Sequence, residues 1–169
     1  NLPGSERTIG RWFNTAAFAQ NRVEFASYHL DATFAEQQRQ ALLRDRSVTF
    51  IIGYTSVISE LARHIIAAGD PPDAYGVRGV LCIAEALYPH QRETIQQAFG
   101  CAVLGRYSNM ECGLLATECP TCGRYHVNSA SYLIEIVGLE DDAPVAAGSI
   151  GRVIVTDLFA TNMATLPTM

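Results

Sequence analysis

The chain contains no lysine. All 12 of its basic residues are arginine, so no step that needs a lysine ammonium can be supplied from within it. Positive charge is also in deficit, with a formal net charge of −5. That argues against a nonspecific nucleic-acid binder, which would carry a basic stripe. No apolar run approaches the roughly 18 residues of a membrane-spanning helix, so no membrane partner is expected. The N-terminus lacks the basic start, apolar core and small-residue cleavage site of a secretory signal, and the expectation is a soluble cytoplasmic protein. Charged residues make up only 17%, but the 49% hydrophobic content fits a globular chain rather than a disordered one. At 169 residues there is enough chain for one domain with a real core, or for a piece of a larger one.

What is there alternates between strand and helix signals. Residues 1–31 carry scattered aromatics, Trp12, Phe13, Phe18, Phe25 and Tyr28, which are expected to pack in a core. Asp31 is placed to cap a helix with Phe34, Leu42 and Leu43 on its inner side, ending near Asp45. The β-branched and aromatic run 48–52 predicts a buried strand. Gly53-Tyr54-Thr55-Ser56 then turns into a helix over 57–68, with Ile58, Leu61, Ala62 and Ile65 at helical spacing. Ser56 is its expected N-cap, with Ser59-Glu60 in the first turn, and Gly69-Asp70-Pro71-Pro72 stops it. A second strand over 79–83, a helix over 89–99 closed by Gly100, and a third strand over 101–104 follow. This order describes right-handed crossover units in a mainly parallel sheet.

Beyond Gly113 the pattern changes to short strands over 114–117, 125–127, 132–137 and 153–156, separated by turn-forming stretches. The predicted fold is therefore α/β: a mainly parallel sheet with flanking helices, followed by a short-strand antiparallel β-layer. Residues 1–112 form the α/β portion and 113–169 the β-rich portion, within one continuous domain fragment. The acidic run Glu140-Asp141-Asp142 reads as a solvated turn rather than a metal site.

The functional interest centres on Arg106-Tyr107-Ser108-Asn109-Met110-Glu111-Cys112-Gly113. The apolar run 101–104 leads into it, so it reads as a polar turn after a buried strand. It holds an aromatic to stack a flat ring, hydroxyl and amide groups for phosphate oxygens, and a carboxylate for a divalent metal. An ordinary loop with a buried Tyr and a solvated Glu is the alternative. Position bears on the choice, because ligands in parallel sheets sit beyond the carboxyl ends of the strands. Ala84-Glu85 and the 106–111 stretch both lie at those ends.

Five cysteines are present, an odd number in a chain without a signal sequence, which argues against a disulfide framework. Cys82 and Cys101 lie in apolar strands and read as small buried hydrophobes. Cys119-Pro120-Thr121-Cys122-Gly123, with His126 three residues on, has spacing suited to tetrahedral Zn²⁺. Cys112 is the nearest candidate for a fourth ligand. A redox pair or unliganded thiols are the alternatives. The position between two short strands favours a structural zinc holding a hairpin, and no visible acid/base partner points to a catalytic one.

Several segments occur in one order: 83–93, Ala98-Phe99-Gly100-Cys101, 106–113, Glu118-Cys119-Pro120, His126-Val127-Asn128 and 151–158. The series resembles the phenylacetate–CoA ligase-like branch of the adenylate-forming enzymes, including capsular-polysaccharide-associated members, and it is dense from about Phe50 to Leu158. The resemblance implies that Ala84, Glu85 and Ala86 present backbone to adenine and that Tyr107 stacks on the ring. Arg106, Ser108 and Asn109 complete the nucleotide site, Ser108 and Asn109 at the α-phosphate. Glu111 would bind Mg²⁺ and, with Ser108, form the catalytic set. Gly53, Tyr54 and Thr55 would line the acyl pocket. Some relatives are similar at the Cys and His positions as well.

The implied activity joins ATP and a carboxylic acid into an acyl-adenylate, then passes the acyl group to coenzyme A. The implied partners are a small-molecule acid and a nucleotide, with a homodimer as the assembly the resemblance allows. Transfer to an amine or sugar acceptor, or a zinc-knuckle binding module without chemistry, are the alternatives. Ser108 departs from the family pattern, which usually has Gly after the Tyr, and a Cβ there narrows backbone approach. The family's lysine and its upstream phosphate loop have no counterpart in this sequence. The expectation is therefore a central fragment of a longer enzyme, or a degenerate copy, with little or no turnover by itself.

Overall fold

A computed structural model of the chain describes residues 32–160. The expected cap at Asp31 and the aromatics of the first 31 residues lie outside them. The first element is helix α1, Ala32–Arg44, which turns Ala35, Gln38 and Leu42 inward. Strand β1, Phe50–Tyr54, leads straight into helix α2, Thr55–Ala68. Ile58, Leu61, Ala62 and Ile65 of α2 are all buried, as their helical spacing predicts. Gly69 ends α2 in the left-handed conformation at φ 76°, its N–H reaching the Ile66 carbonyl, the usual reason for glycine there.

Strand β2, Gly79–Ile83, and helix α3, Pro89–Phe99, repeat the unit. Pro89 sits at the first helical position, the Tyr88 N–H is held by Gln91, and Gly100 closes the helix at φ 62°. Strands β1, β2 and β3 (Ala102–Asn109) pair in parallel in that order. Both crossovers run in the same direction, so α2 and α3 lie on the same face of the sheet and pack on each other. The core forms between them. Ile58, Leu61 and Ile65 of α2 meet Ile95 and Phe99 of α3 over Val80, Cys82 and Val103 of the sheet.

The third strand is longer than expected. Instead of ending at Leu104 it runs through Asn109 and hairpins into β4, Gly113–Glu118, which pairs antiparallel with it. Arg106 to Asn109 are therefore strand residues, and only Met110, Glu111 and Cys112 form the turn. Pairing with β4 supplies backbone partners that a polar loop would lack, and this outweighs the polar composition of the stretch. Strand β5, Tyr125–Val127, adds to β4. The result is a five-stranded mixed sheet in the order β1-β2-β3-β4-β5. Strands β6, Tyr132–Val137, and β7, Arg152–Asp157, form a separate antiparallel pair. This is the expected α/β sheet with its antiparallel layer. No helix among the described residues is long and apolar enough to cross a membrane.

Candidate functional site

The carboxyl edge of the parallel strands gathers most of the expected nucleotide and acyl residues. Tyr54 at the end of β1 is in register with Ile83 at the end of β2. Cys82 is in register with Gly105 of β3, so one step further sets Ile83 level with Arg106. Tyr54 and the 84–86 turn, where β1 and β2 end, thus lie side by side with Arg106-Tyr107, where β3 continues. Tyr54 and Tyr107 are each nearly half exposed. Ala84 has φ 64°, the only positive φ outside glycine among the described residues. An alanine held in that region is strained, and such strain concentrates where a backbone is aimed at a ligand.

The side chain of Glu85 does something the sequence did not suggest. Its carboxylate accepts the Ser56 N–H at 2.7 Å and the Ser56 hydroxyl at 2.9 Å, both in the first turn of α2. Ser56 is consequently not the N-cap. That position belongs to Tyr54, whose side chain makes no capping bond. Nor is any acidic residue of α2 in its first turn. The negative charge that suits this helix end comes from the next loop. Thr55 is fully buried, and its hydroxyl donates to the Glu85 carbonyl at 3.3 Å. It fastens the turn from inside, whereas its neighbour Tyr54 is nearly half exposed. Gly53 lies on the helix side of β1, where a Cβ would stand in ordinary contact with Ile58.

At the hairpin end, the pairing of β3 with β4 slips between Tyr107 and Ser108, so Leu115 is the extra residue of a bulge. Bulges re-aim side chains beside sites. The Asn109 side-chain carbonyl accepts the Cys112 N–H at 2.7 Å and closes the turn, leaving its amide NH₂ as the donor available to an anion. Glu111 is exposed in that turn. An exposed carboxylate is a suitable hard-oxygen ligand for Mg²⁺ that keeps most of its waters. Arg106 is half-buried on β3, and its Nε is buried without a hydrogen-bond partner.

The cysteine cluster forms at the other end of the hairpin. Ligand atoms of Cys119, Cys122 and His126 all lie within 4.8 Å of one another, with Cys122 Sγ 3.4 Å from His126 Nε2. The Gly123 N–H returns to the Cys119 carbonyl at 2.9 Å with Gly123 at φ 66°, and the Cys119 N–H reaches the Arg124 carbonyl at 2.8 Å. Backbone N–H groups of Cys122 and Thr121 hold the Cys119 thiol below its ordinary pKa, which favours the thiolate a metal needs. Cys112 is not in the cluster. It precedes β4 while Cys119 follows it, and seven residues of extended chain separate their α-carbons by roughly 20 Å. Burial pushes the Cys82 and Cys101 thiols up, as befits two cysteines serving as small hydrophobes.

Two residues in the region carry more of the structure than their sequence context suggests. Buried Glu118 accepts two bonds from Arg92 Nη2, at 2.7 and 2.8 Å, and takes the Gly105 N–H at 2.7 Å. Arg92 also donates to the Val103 carbonyl. The only available signal was a carboxylate two residues beyond the apolar run Leu114-Leu115-Ala116. A cavity of about 260 Å³ lies beside this pair, between Gln96 of α3 and Cys119, Pro120 and Gly123. It is at the knuckle end of β3, away from the carboxyl edge, and its charged groups are already paired.

With this geometry in place, the comparison with solved structures is decisive for the fold. 2-Hydroxyisobutyryl-CoA ligase, in an open conformation with 2-HIB-AMP and CoA, matches with TM-score 0.64 and 16% identity. The match covers 79% of this chain and 29% of that one. The chain shares the fold of the matched part of that ligase. A benzoate CoA ligase from Burkholderia xenovorans LB400 matches with TM-score 0.59 and 17% identity, over 73% of this chain and 25% of that one. Apo MatB from Rhodopseudomonas palustris matches with TM-score 0.56 and 15% identity, over 72% and 24%. The chain therefore spans 24–29% of the length of these three solved proteins. No protein-family model matches the sequence, and no curated protein does.

Proposed function

We propose that this chain is the central portion of an adenylate-forming acid ligase of the phenylacetate–CoA ligase-like kind. The observation that carries the reading is the shared carboxyl edge. The strained 84–86 turn, Tyr54 and the Arg106-Tyr107 stretch converge there, in a fold whose solved neighbour holds an acyl-adenylate and CoA. In the complete enzyme, ATP and a carboxylic acid would form an acyl-adenylate with release of pyrophosphate. The acyl group would then pass to the thiol of coenzyme A.

Within this chain, the backbone of Ala84, Glu85 and Ala86 would meet adenine and the Tyr107 ring would stack on it. Ser108 and the Asn109 amide would donate to the α-phosphate, and Glu111 would hold Mg²⁺, which offsets phosphate charge when bound. Gly53 and Tyr54 would border the acid. The Cys119, Cys122 and His126 trio fits a structural Zn²⁺, with thiolate and imidazole ligands already gathered. Its fourth ligand lies outside the trio. Because the knuckle sits at the opposite end of β4 from Glu111, zinc would brace the hairpin and take no part in the reaction.

The test is ATP–pyrophosphate exchange by the full-length gene product with Mg²⁺ and a panel of aryl and short aliphatic acids. Exchange that depends on one acid supports the ligase and names its substrate class. Folded, zinc-replete protein that exchanges with none of them counts against it. Acceptor assays with coenzyme A, amines and sugars then separate thioester formation from the other transfers. The chain lacks lysine, so exchange by residues 1–169 alone would contradict the need for a lysine supplied from elsewhere.

A further inference from the structure

We propose that Glu85 is a positioning residue that couples the nucleotide turn to the acyl turn. The inference rests on the nucleotide reading above and extends it. The two turns leave neighbouring strands in register, Tyr54 opposite Ile83. Three hydrogen bonds join them, and all of them involve Glu85. Its carboxylate takes the Ser56 N–H and hydroxyl, and its carbonyl takes the Thr55 hydroxyl.

The bonding divides the residue between two tasks. The carboxylate is turned onto the first turn of α2, where orphan N–H groups and the helix dipole favour an anion. It is thereby kept from a phosphate of like charge. What remains for a ligand is the backbone of the 84–86 turn. That turn contains the one described non-glycine residue held at positive φ, Ala84 at 64°. A strained backbone persists only where its surroundings over-determine it. Here the surroundings are Thr55 and Ser56, the residues that follow Tyr54 in the acyl turn. Movement of one turn is thus transmitted to the other through a short, charge-assisted link. Binding of the nucleotide would order the acid site before the acid arrives, and the converse follows by linkage.

The test is hydrogen–deuterium exchange on the full chain with and without AMP, together with AMP affinity. In the unaltered protein AMP is expected to slow exchange at 84–86 and also at 54–57. In Glu85→Ala, which removes the two carboxylate bonds and keeps the Thr55 bond to the backbone carbonyl, protection at 84–86 should remain while protection at 54–57 falls, and AMP should bind about tenfold more weakly, as for a coupling between two sites. Glu85→Gln keeps an acceptor for the Ser56 N–H and should lose less. Ser56→Ala removes only the hydroxyl bond, and it carries the test if Glu85→Ala fails to fold. General destabilisation would raise exchange everywhere and would not separate the two turns. AMP protection of both turns that survives in Glu85→Ala and Ser56→Ala overturns the coupling and leaves the nucleotide reading standing. Folded, unaltered chain that binds no AMP overturns both.

Discussion

Gly105 shows how a single residue is fixed by what lies across the sheet. A Cβ built there would fall on the Tyr125 hydroxyl, with the Glu118 carboxylate 3.5 Å away. Burial raises the Tyr125 pKa, with the Glu118 charge adding to the effect, so the ring enters this space as a neutral phenol. Gly105→Ala should therefore destabilise by about 1–3 kcal/mol, as overpacking does. Tyr125→Phe in the same background should recover part of the loss, read from urea midpoints in a double-mutant cycle. Additive losses would mean the two residues do not meet. Glu118→Ala should cost on the order of 3 kcal/mol, because it removes the carboxylate that balances the Arg92 charge and accepts the Gly105 N–H. Glu118→Gln should lie between. None of this is legible in the sequence, where Gly105 is one small residue in a strand and its partners are 13 and 20 positions away. Ser56 was misread for the same reason. A local rule placed the cap within the helix, and the fold delivers Glu85 from 29 residues further on.

Elements were easier to read than their joints. Strand β2 and helix α3 have the predicted limits, because an apolar run and a Pro–Gly bracket are local signals. Strand β3 was cut short because its polar half owes its extension to β4, a non-local partner. The knuckle trio was readable from spacing alone, whereas Cys112 was chosen by closeness in sequence, which an intervening strand turns into distance in space. If zinc braces the hairpin, purified chain should carry about one Zn²⁺, and chelation should lower the thermal midpoint, at ~2–4 °C per kcal/mol for a chain of this size. Cys122→Ser should reproduce that drop and remove the response to chelator. Metal-free protein with the same midpoint would identify the three as unliganded side chains. The joint between α1 and α2 is ionic. Glu36 on α1 accepts from His64 of α2 at 2.7 Å, and also from Gln40 and Arg39. These bonds, His64 first, lower its pKa from 4.5 to about 2. A carboxyl depressed on folding stabilises fully above its unfolded pKa and loses that contribution as pH falls through the folded value. Stability should therefore decline between about pH 4.5 and pH 2, and the decline should be shallower in Glu36→Gln, measured by urea unfolding across that range.

At the scale of the whole molecule, the parallel unit of the described residues is one-sided, and this follows from the same crossover rule that made its fold readable. Both helices of the parallel unit lie on one face of the sheet, so alternate residues point away from them. In β1 these are Phe50, Ile52 and Tyr54, exposed by 67%, 62% and 46%. Through the register they adjoin Leu81 of β2 and Leu104 of β3, both only half-buried. Parallel sheets are ordinarily covered on both faces, and that is why their strands read as continuous apolar runs. The run 48–52 reads as a buried strand, and it is here that the described residues and the sequence disagree most. A contiguous apolar face of this kind is sticky in water. The chain of 169 residues should accordingly bind an apolar fluorescent dye in its folded state and self-associate as concentration rises. Ile52→Thr keeps a β-branched residue in the strand while removing apolar surface from the bare face. It should lower dye binding and association with little change in the urea midpoint. Ile51→Thr, one residue away on the helix side where it packs against the core, should do the reverse, lowering the midpoint and leaving dye binding to the folded state unchanged. Equal effects from the two would mean that β1 does not present the faces its register assigns.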